Sequence, residues 1–252
     1  MNTTTTLLLA LLSLGLLALL LNWVTRLPAF AIEAIRVEGA INRISLSTIR
    51  THAVPKLMGN FFTLDLTLGQ QAFESVPWVR RAVLRRVWPD RLAVQLEEQR
   101  AVALWGWGDD SSSIVNHFGE VFEANLGDVE DERLPTLHGP QGSSARVLAM
   151  YREVGTLLAA LGTQVERLTL SERGSWHVNL DNGAEIELGR GSDSDVLART
   201  ERFVVTVTPL IEQYKRPLQY ADLRHHDGYA LRLREFSTIV SPKGAVANTP
   251  KF

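Results

Sequence analysis

Apolar residues crowd the start of the chain. Leu7 to Leu21 reads LLLALLSLGLLALLL and runs on through Asn22, Trp23 and Val24 without a charge. As a helix, 7–24 would rise about 27 Å, close to the hydrocarbon thickness of a bilayer. Trp23 then falls where an interfacial aromatic belongs. The pattern predicts a transmembrane helix over 7–24 behind a short tail, 1–6. A cleaved signal peptide competes, because Ala29-Phe30-Ala31 has the small-x-small form. The apolar run is longer than a signal core and no Lys or Arg precedes it, which favours a retained anchor. Arg26, Arg36 and Arg43 follow the span, so the charge count alone puts the body in the cytoplasm.

From Ile32 the pattern is that of a water-soluble chain. Ile35 and Val37 before Gly39 predict a short strand. Ser45 is a candidate N-cap for a helix with Leu46, Ile49, Ala53 and Leu57 on one face, interrupted near Pro55. A second short helix carries Ala72, Phe73 and Val76 and stops at Pro77. Two Arg-rich apolar runs follow, Trp78 to Trp88 and Arg91 to Glu98, separated by the turn Pro89-Asp90. In the second, Leu92, Val94 and Leu96 alternate with Arg91, Ala93, Gln95 and Glu97, the period of a half-buried strand. Trp78 and Trp88 are expected to be core anchors. The order is β-α-α-β-β over 30–99, an independent unit.

The stretch 100–236 is richer in strands. An Asn116-His117-Phe118-Gly119 turn, an acidic loop at Asp128 to Glu132, and a helix begun by Ser143 come first. That helix has a stripe of Val147, Tyr151, Val154, Leu158 and Leu161, and Gly162 as its left-handed cap. Trp176, Val178 and Leu180, then Ile186 and Leu188, alternate around Asn182-Gly183, which predicts a hairpin with a type I′ turn. A helix from about Asp195 to Tyr214 carries Val196, Phe203, Val207 and Leu210. Tyr220 to Arg224 and Tyr229 to Phe236 then flank a second hairpin signal, Asp227-Gly228. The alternation fails over 237–252, which reads as a mobile tail.

Composition narrows the chemistry. Lys plus Arg number 26 against 28 Asp plus Glu, and there is no cysteine. That balance gives no global basic field for nucleic acid, and no thiol serves as nucleophile, disulfide or metal ligand. The six histidines form no HExxH pattern, and the adjacent His225-His226 would point to opposite faces of a strand. Gly189-Arg190-Gly191 before a helix lacks the lysine of a phosphate-binding loop and reads as a plain strand-to-helix connection. There is no GxSxG elbow. Catalytic, cofactor and metal residues are therefore none. The densest local charge is Arg80, Arg81, Arg85, Arg86 and Arg91, which fits either a solvated strand face or contact with anionic lipid or an acidic partner.

Several segments carry a resemblance. They are Asn60-Phe61-Phe62-Thr63-Leu64-Asp65-Leu66, Val76-Pro77-Trp78-Val79-Arg80-Arg81-Ala82 and Arg85-Arg86-Val87-Trp88-Pro89-Asp90-Arg91-Leu92. Further on come Val115-Asn116-His117-Phe118-Gly119-Glu120-Val121-Phe122, Leu134-Pro135, Leu180-Asp181-Asn182-Gly183 and Asp222-Leu223-Arg224. In this order the chain resembles the FtsQ/DivIB family of bacterial cell division proteins, and the β-α-α-β-β unit is similar to that family's POTRA domain. The family usually has a longer, basic tail before the span, so an alternative start or a shortened sequence is expected, and the family often has an aromatic where His225 stands.

The resemblance implies an α+β protein: one transmembrane helix, a POTRA domain at 30–99, a larger mixed β domain with flanking helices at 100–236, and a tail. It implies a non-enzymatic scaffold of the inner membrane at the division septum, N-terminus cytoplasmic and body periplasmic, which outweighs the charge count. It links early and late division proteins and has FtsB and FtsL as partners, with no cofactor, nucleic acid or small-molecule substrate. Partner binding by strand addition is expected on Arg224, His225, Asp227, Gly228, Tyr229, Ala230, Leu231 and Leu233. Arg173 and Arg216 match basic positions nearby, and Arg80, Arg81, Arg85 and Arg86 form a possible second partner surface. Other readings of the residues are a membrane-anchored chaperone or translocation subunit with a POTRA unit, or a periplasmic enzyme.

Overall fold

The computed structural model describes residues 3–25, 27, 30–39, 42–106, 113–225 and 228–234. The expected tail at 237–252, His226 and Asp227 lie outside them. The first helix, α1 (Thr3–Thr25), carries no charged side chain, and the stretch Thr6–Thr25 is long and apolar enough to cross a membrane. The rest divides into two compact units, one holding residues to 101 together with 123–131, the other 102–122 and everything from 132.

The first unit has the order β1 (Ala34–Glu38), α2 (Leu46–His52), α3 (Leu66–Glu74), β2 (Val79–Val87) and β3 (Arg91–Glu98). Ser45 caps α2 by accepting from Ser47 N, and Asp65 caps α3 by accepting from the N–H groups of Thr67 and Leu68. Both satisfy donors that a helix start leaves open. The sheet order is β1-β3-β2, β1 parallel and β2 antiparallel to β3. Leu92, Val94 and Leu96 are buried with Ile49, Phe73 and Ala82. Gly69 lets α3 lie close to the sheet, since a Cβ there would come within 2.8 Å of Leu84 Cδ2. Leu46, expected on the inner face of α2, is 62% exposed at the first helical position.

The two tryptophans part company. Trp78 is buried at φ +69. Its indole Nε1 donates to Asp128 Oδ2 at 2.8 Å, its carbonyl accepts from Gln99 N at 2.8 Å, and the Arg43 guanidinium lies 4.7 Å from its ring centre. These contacts hold a conformation that a bulky residue rarely adopts. Trp88 is not a core anchor: it is 76% exposed, at the tip of the β2–β3 hairpin.

The second unit is a nine-stranded mixed sheet in the order β12-β11-β10-β9-β8-β7-β4-β5-β6. Its strands are β4 (Ala101–Trp105), β5 (Ser113–Asn116), β6 (Val121–Glu123), β7 (Thr136–His138), β8 (Val165–Leu170), β9 (Trp176–Leu180), β10 (Glu185–Gly189), β11 (Leu218–Asp222) and β12 (Ala230–Leu233). Two helices, α4 (Ser144–Leu158) and α5 (Asp193–Tyr214), connect the parallel pairs β7–β8 and β10–β11, as parallel neighbours require. They pack on the sheet and against each other. Leu168, Trp176, Val178 and Ile186 from the sheet are fully buried with Val154, Leu158, Val196 and Val207 from the helices.

The β9–β10 connection is not a two-residue type I′ turn. Gly183 N–H bonds Leu180 O at 2.9 Å, Leu180 N–H bonds Ala184 O at 2.8 Å, and Gly183 has φ +79, while Asn182 is not among the positive-φ residues. This is a type I turn closed by a left-handed glycine, and Asn182 Oδ1 accepts from Ala184 N instead of its backbone turning left-handed. Pro209 sits inside α5 and cannot donate to the Val205 carbonyl, which belongs to an exposed residue.

Because Phe73 is fully buried between α3 and the sheet, Phe73→Ala is expected to lower the stability of the first unit by about 3–5 kcal/mol. Faster hydrogen exchange of the β3 amides in the full chain checks this, with β8 amides as the unaffected reference.

Candidate functional site

β12 ends the sheet. It pairs antiparallel with β11, Ala221 opposite Leu231 and Asp222 opposite Ala230, and among the described residues no strand lies on its other side. Arg234 N–H bonds Pro217 O at 2.9 Å. Since successive residues of an antiparallel strand point their backbone groups to opposite sides, the even-numbered residues 230, 232 and 234 bond inward. The N–H and C=O groups of Leu231 and Leu233 face outward, an open half-ladder.

The strand's two faces differ. Tyr229, Leu231 and Leu233 pack against the core, and Ala230, Arg232 and Arg234 are exposed. Tyr229 meets Phe203 of α5 edge to face, centroids 5.0 Å apart, and its hydroxyl bonds Thr206 Oγ1 at 2.8 Å. Beside this contact is a cavity of about 410 Å³ lined by Arg199, Arg202, Phe203, His225, Gly228 and Tyr229, among others. Arg199 already bonds the carbonyls of Leu188 and Arg190. Its guanidinium thus lies against the Gly189-Arg190-Gly191 loop, which connects β10 to α5. Ser192 and Asp195 close the helix start with a capping box.

Basic side chains stand at both ends of the edge. At the start, Arg224 grips Asp222 through Nε to Oδ1 at 2.9 Å and Nη2 to Oδ2 at 2.6 Å, and His225 is exposed next to it. At the other end are exposed Arg216 and Arg234, whose Nη2 bonds Asn182 O at 2.9 Å. Arg173 is exposed in the β8–β9 turn, separated from β12 by β9, β10 and β11. The structure thus gathers Arg224, His225, Gly228, Tyr229, Ala230, Leu231 and Leu233, with Arg216, around one strand; Asp227 is outside the described residues and Arg173 stands apart. Arg202, Arg232 and Arg234 were missed. The latter two were visible as the outward half of the alternation, while nothing local tied Arg202 to the edge.

Of the second arginine set, Arg80 pairs with Glu97 at 2.8 Å, Arg85 with Glu38 at 3.1 Å, and Arg86 donates to Leu64 O at 2.6 Å. Arg81 is exposed and has no partner among the described residues. This is chiefly a solvated, ion-paired strand.

The hydrogen bonds from Arg224, outweighing the effect of burial, hold the Asp222 carboxyl at about 2, and Asp222 raises Arg224 in turn. A carboxyl lowered on folding stabilises the fold fully above its unfolded value, about 4, and that contribution fades as pH falls toward 2. Asp222→Asn should therefore lower the melting temperature at pH 7 and change it much less at pH 2.5, as a pair of thermal melts would record.

The sequence matches two family descriptions, "POTRA domain, FtsQ-type" over residues 30–99 and "Cell division protein FtsQ/DivIB, C-terminal" over 103–224. It is 42% identical over 224 residues to the cell division protein FtsQ of Burkholderia pseudomallei, covering 88% of each chain. It is 38% identical over 225 residues to that of Thiomonas arsenitoxydans, covering 89% of this chain and 83% of the other. With that of Bordetella pertussis it shares 36% identity over 229 residues, 84% of this chain and 82% of the other. With its POTRA unit, its mixed sheet, and an N-terminal apolar helix consistent with a single inner-membrane span, the chain belongs to the FtsQ/DivIB family of cell division proteins.

Proposed function

We propose that this protein is a non-enzymatic connector of the division complex, anchored at the septum by α1, its N-terminus cytoplasmic and its body periplasmic. It receives a strand from FtsB on β12, with FtsL brought in alongside. The observation that carries this reading is the open side of β12 at the end of the sheet. An incoming extended segment completes the half-ladder, which gives affinity from backbone hydrogen bonds while side chains set the choice of partner.

The surroundings favour an acidic, partly apolar guest. Arg224 and His225 at one end, Arg216 and Arg234 at the other, and Arg232 along the outer face supply positive charge. The cavity beside Tyr229 suits one apolar side chain, with Arg202 at hand for a carboxylate. Arg224 is already engaged by Asp222, so its contribution to a partner carboxylate is a shared one. On the POTRA unit, Arg81 is the residue left for a second partner.

Leu231→Pro removes an outward donor without touching the bonds to β11. Binding of the FtsB periplasmic segment should weaken at least about tenfold while the folded spectrum is kept. Hydrogen exchange gives a second reading: adding the segment should slow the amides of Leu231 and Leu233, with those of Arg232 and Arg234 protected before and after. Unchanged affinity in folded Leu231→Pro, or no new protection at Leu231 and Leu233, refutes edge pairing.

A further inference from the structure

Three separate stretches of the first unit converge where the chain leaves α1. Trp23, 63% exposed, lies in the last turn of that helix. The loop 57–64 is tied to the same place: Asn60 Nδ2 donates to Thr25 O at 2.6 Å, Phe61 N–H bonds Phe30 O at 2.8 Å, and the Phe30 and Phe62 rings meet edge to face at 4.9 Å. The β2–β3 hairpin belongs to this end too. Glu33 N–H bonds Asp90 O at 3.0 Å, Ala34 at the start of β1 pairs with Arg91, and Arg86 of the hairpin donates to Leu64 O of the loop.

What these stretches present outward is large and apolar. Met58 is 81%, Phe62 46% and Trp88 76% exposed. Arg91, also largely exposed, stands opposite Val87 in the hairpin, its Nε 3.7 Å from Asp90 Oδ1. Water is a poor neighbour for that set, and burial of such side chains is favourable. Aromatic rings with polar edges and arginines favour the headgroup boundary of a bilayer, which offers apolar chains beneath and phosphates above.

We propose that this end of the POTRA unit docks on lipid: Met58, Phe62 and Trp88 enter the interfacial layer of the membrane that α1 crosses, with Arg91 on the phosphates. The occupant is the phospholipid surface rather than a protein, because the loop is hydrogen-bonded to the last residue of α1 and so is held at the depth where that helix emerges. The inference rests on the reading of α1 as a retained span. Its consequence is that the first unit stands on the bilayer at a fixed tilt instead of swinging on a tether.

The absence of native cysteine makes the test direct. Single variants Met58→Cys, Trp88→Cys, Leu16→Cys within α1 and Arg81→Cys at the opposite end of β2 are labelled with an environment-sensitive fluorophore. The full chain is then reconstituted in phosphatidylcholine–phosphatidylglycerol vesicles containing nitroxide lipids. Labels at 58 and 88 should shift to the blue and be quenched more by shallow than by deep nitroxides, the label at 16 most by deep ones, and that at 81 by neither. Quenching at 16 with water-like emission at 58 and 88 overturns lipid docking and leaves the span standing. Blue-shifted but unquenched labels at 58 and 88 overturn it in favour of a protein neighbour. No quenching at 16 overturns the span reading and the docking with it.

Discussion

A backbone amide removed from water has to be hydrogen-bonded, and a sheet meets that demand everywhere except along its last strands. In the second unit β7 to β11 are each satisfied from two sides, and β12, among the described residues, only by β11. Its other side keeps the groups of Leu231 and Leu233 turned outward. A guest strand bound as proposed would give these groups a fixed partner. Everything placed around β12 either keeps that strand flat on the core or sets the charge beside it.

Two long-range devices do the placing. The α5 crossover brings β11 parallel to β10 and sets Phe203 and Thr206 under Tyr229. The Asp222–Arg224 pair then stiffens the turn out of β11, a charge-assisted contact on a nearly buried carboxylate. In the first unit Trp78 has the comparable duty. A buried indole at positive φ joins the start of β2 to Asp128 in a segment that returns from beyond β6, so 123–131 belongs to the unit that precedes it.

Much of this is legible residue by residue. Leu92, Val94 and Leu96, or Trp176, Val178 and Leu180, alternate because one sheet face is buried, and the β-α-α-β-β order follows from such runs with Ser45 and Asp65 as caps. Alternation reports which face is covered, never which strand is the neighbour, so the edge position of β12 could be expected but not read. The same blindness misplaces Trp88, whose local pattern matches that of Trp78 although only Trp78 has Asp128 to meet. Arg202 and Arg173 mark the two sides of the problem: α5 carries Arg202 to the cavity beside Tyr229, while three strands separate Arg173 from β12. Asn182-Gly183 has the composition of a type I′ turn, yet Asn182 spends its side chain on Ala184 N and only the glycine turns left-handed.

The parallel pairing of β11 with β10 also has a bearing on biosynthesis. β12 depends on β11, which depends in turn on the long α5 crossover, so the edge does not exist until translation has passed residue 233. A partner docked on that edge, as proposed above, would meet only a chain in which this last pairing has formed.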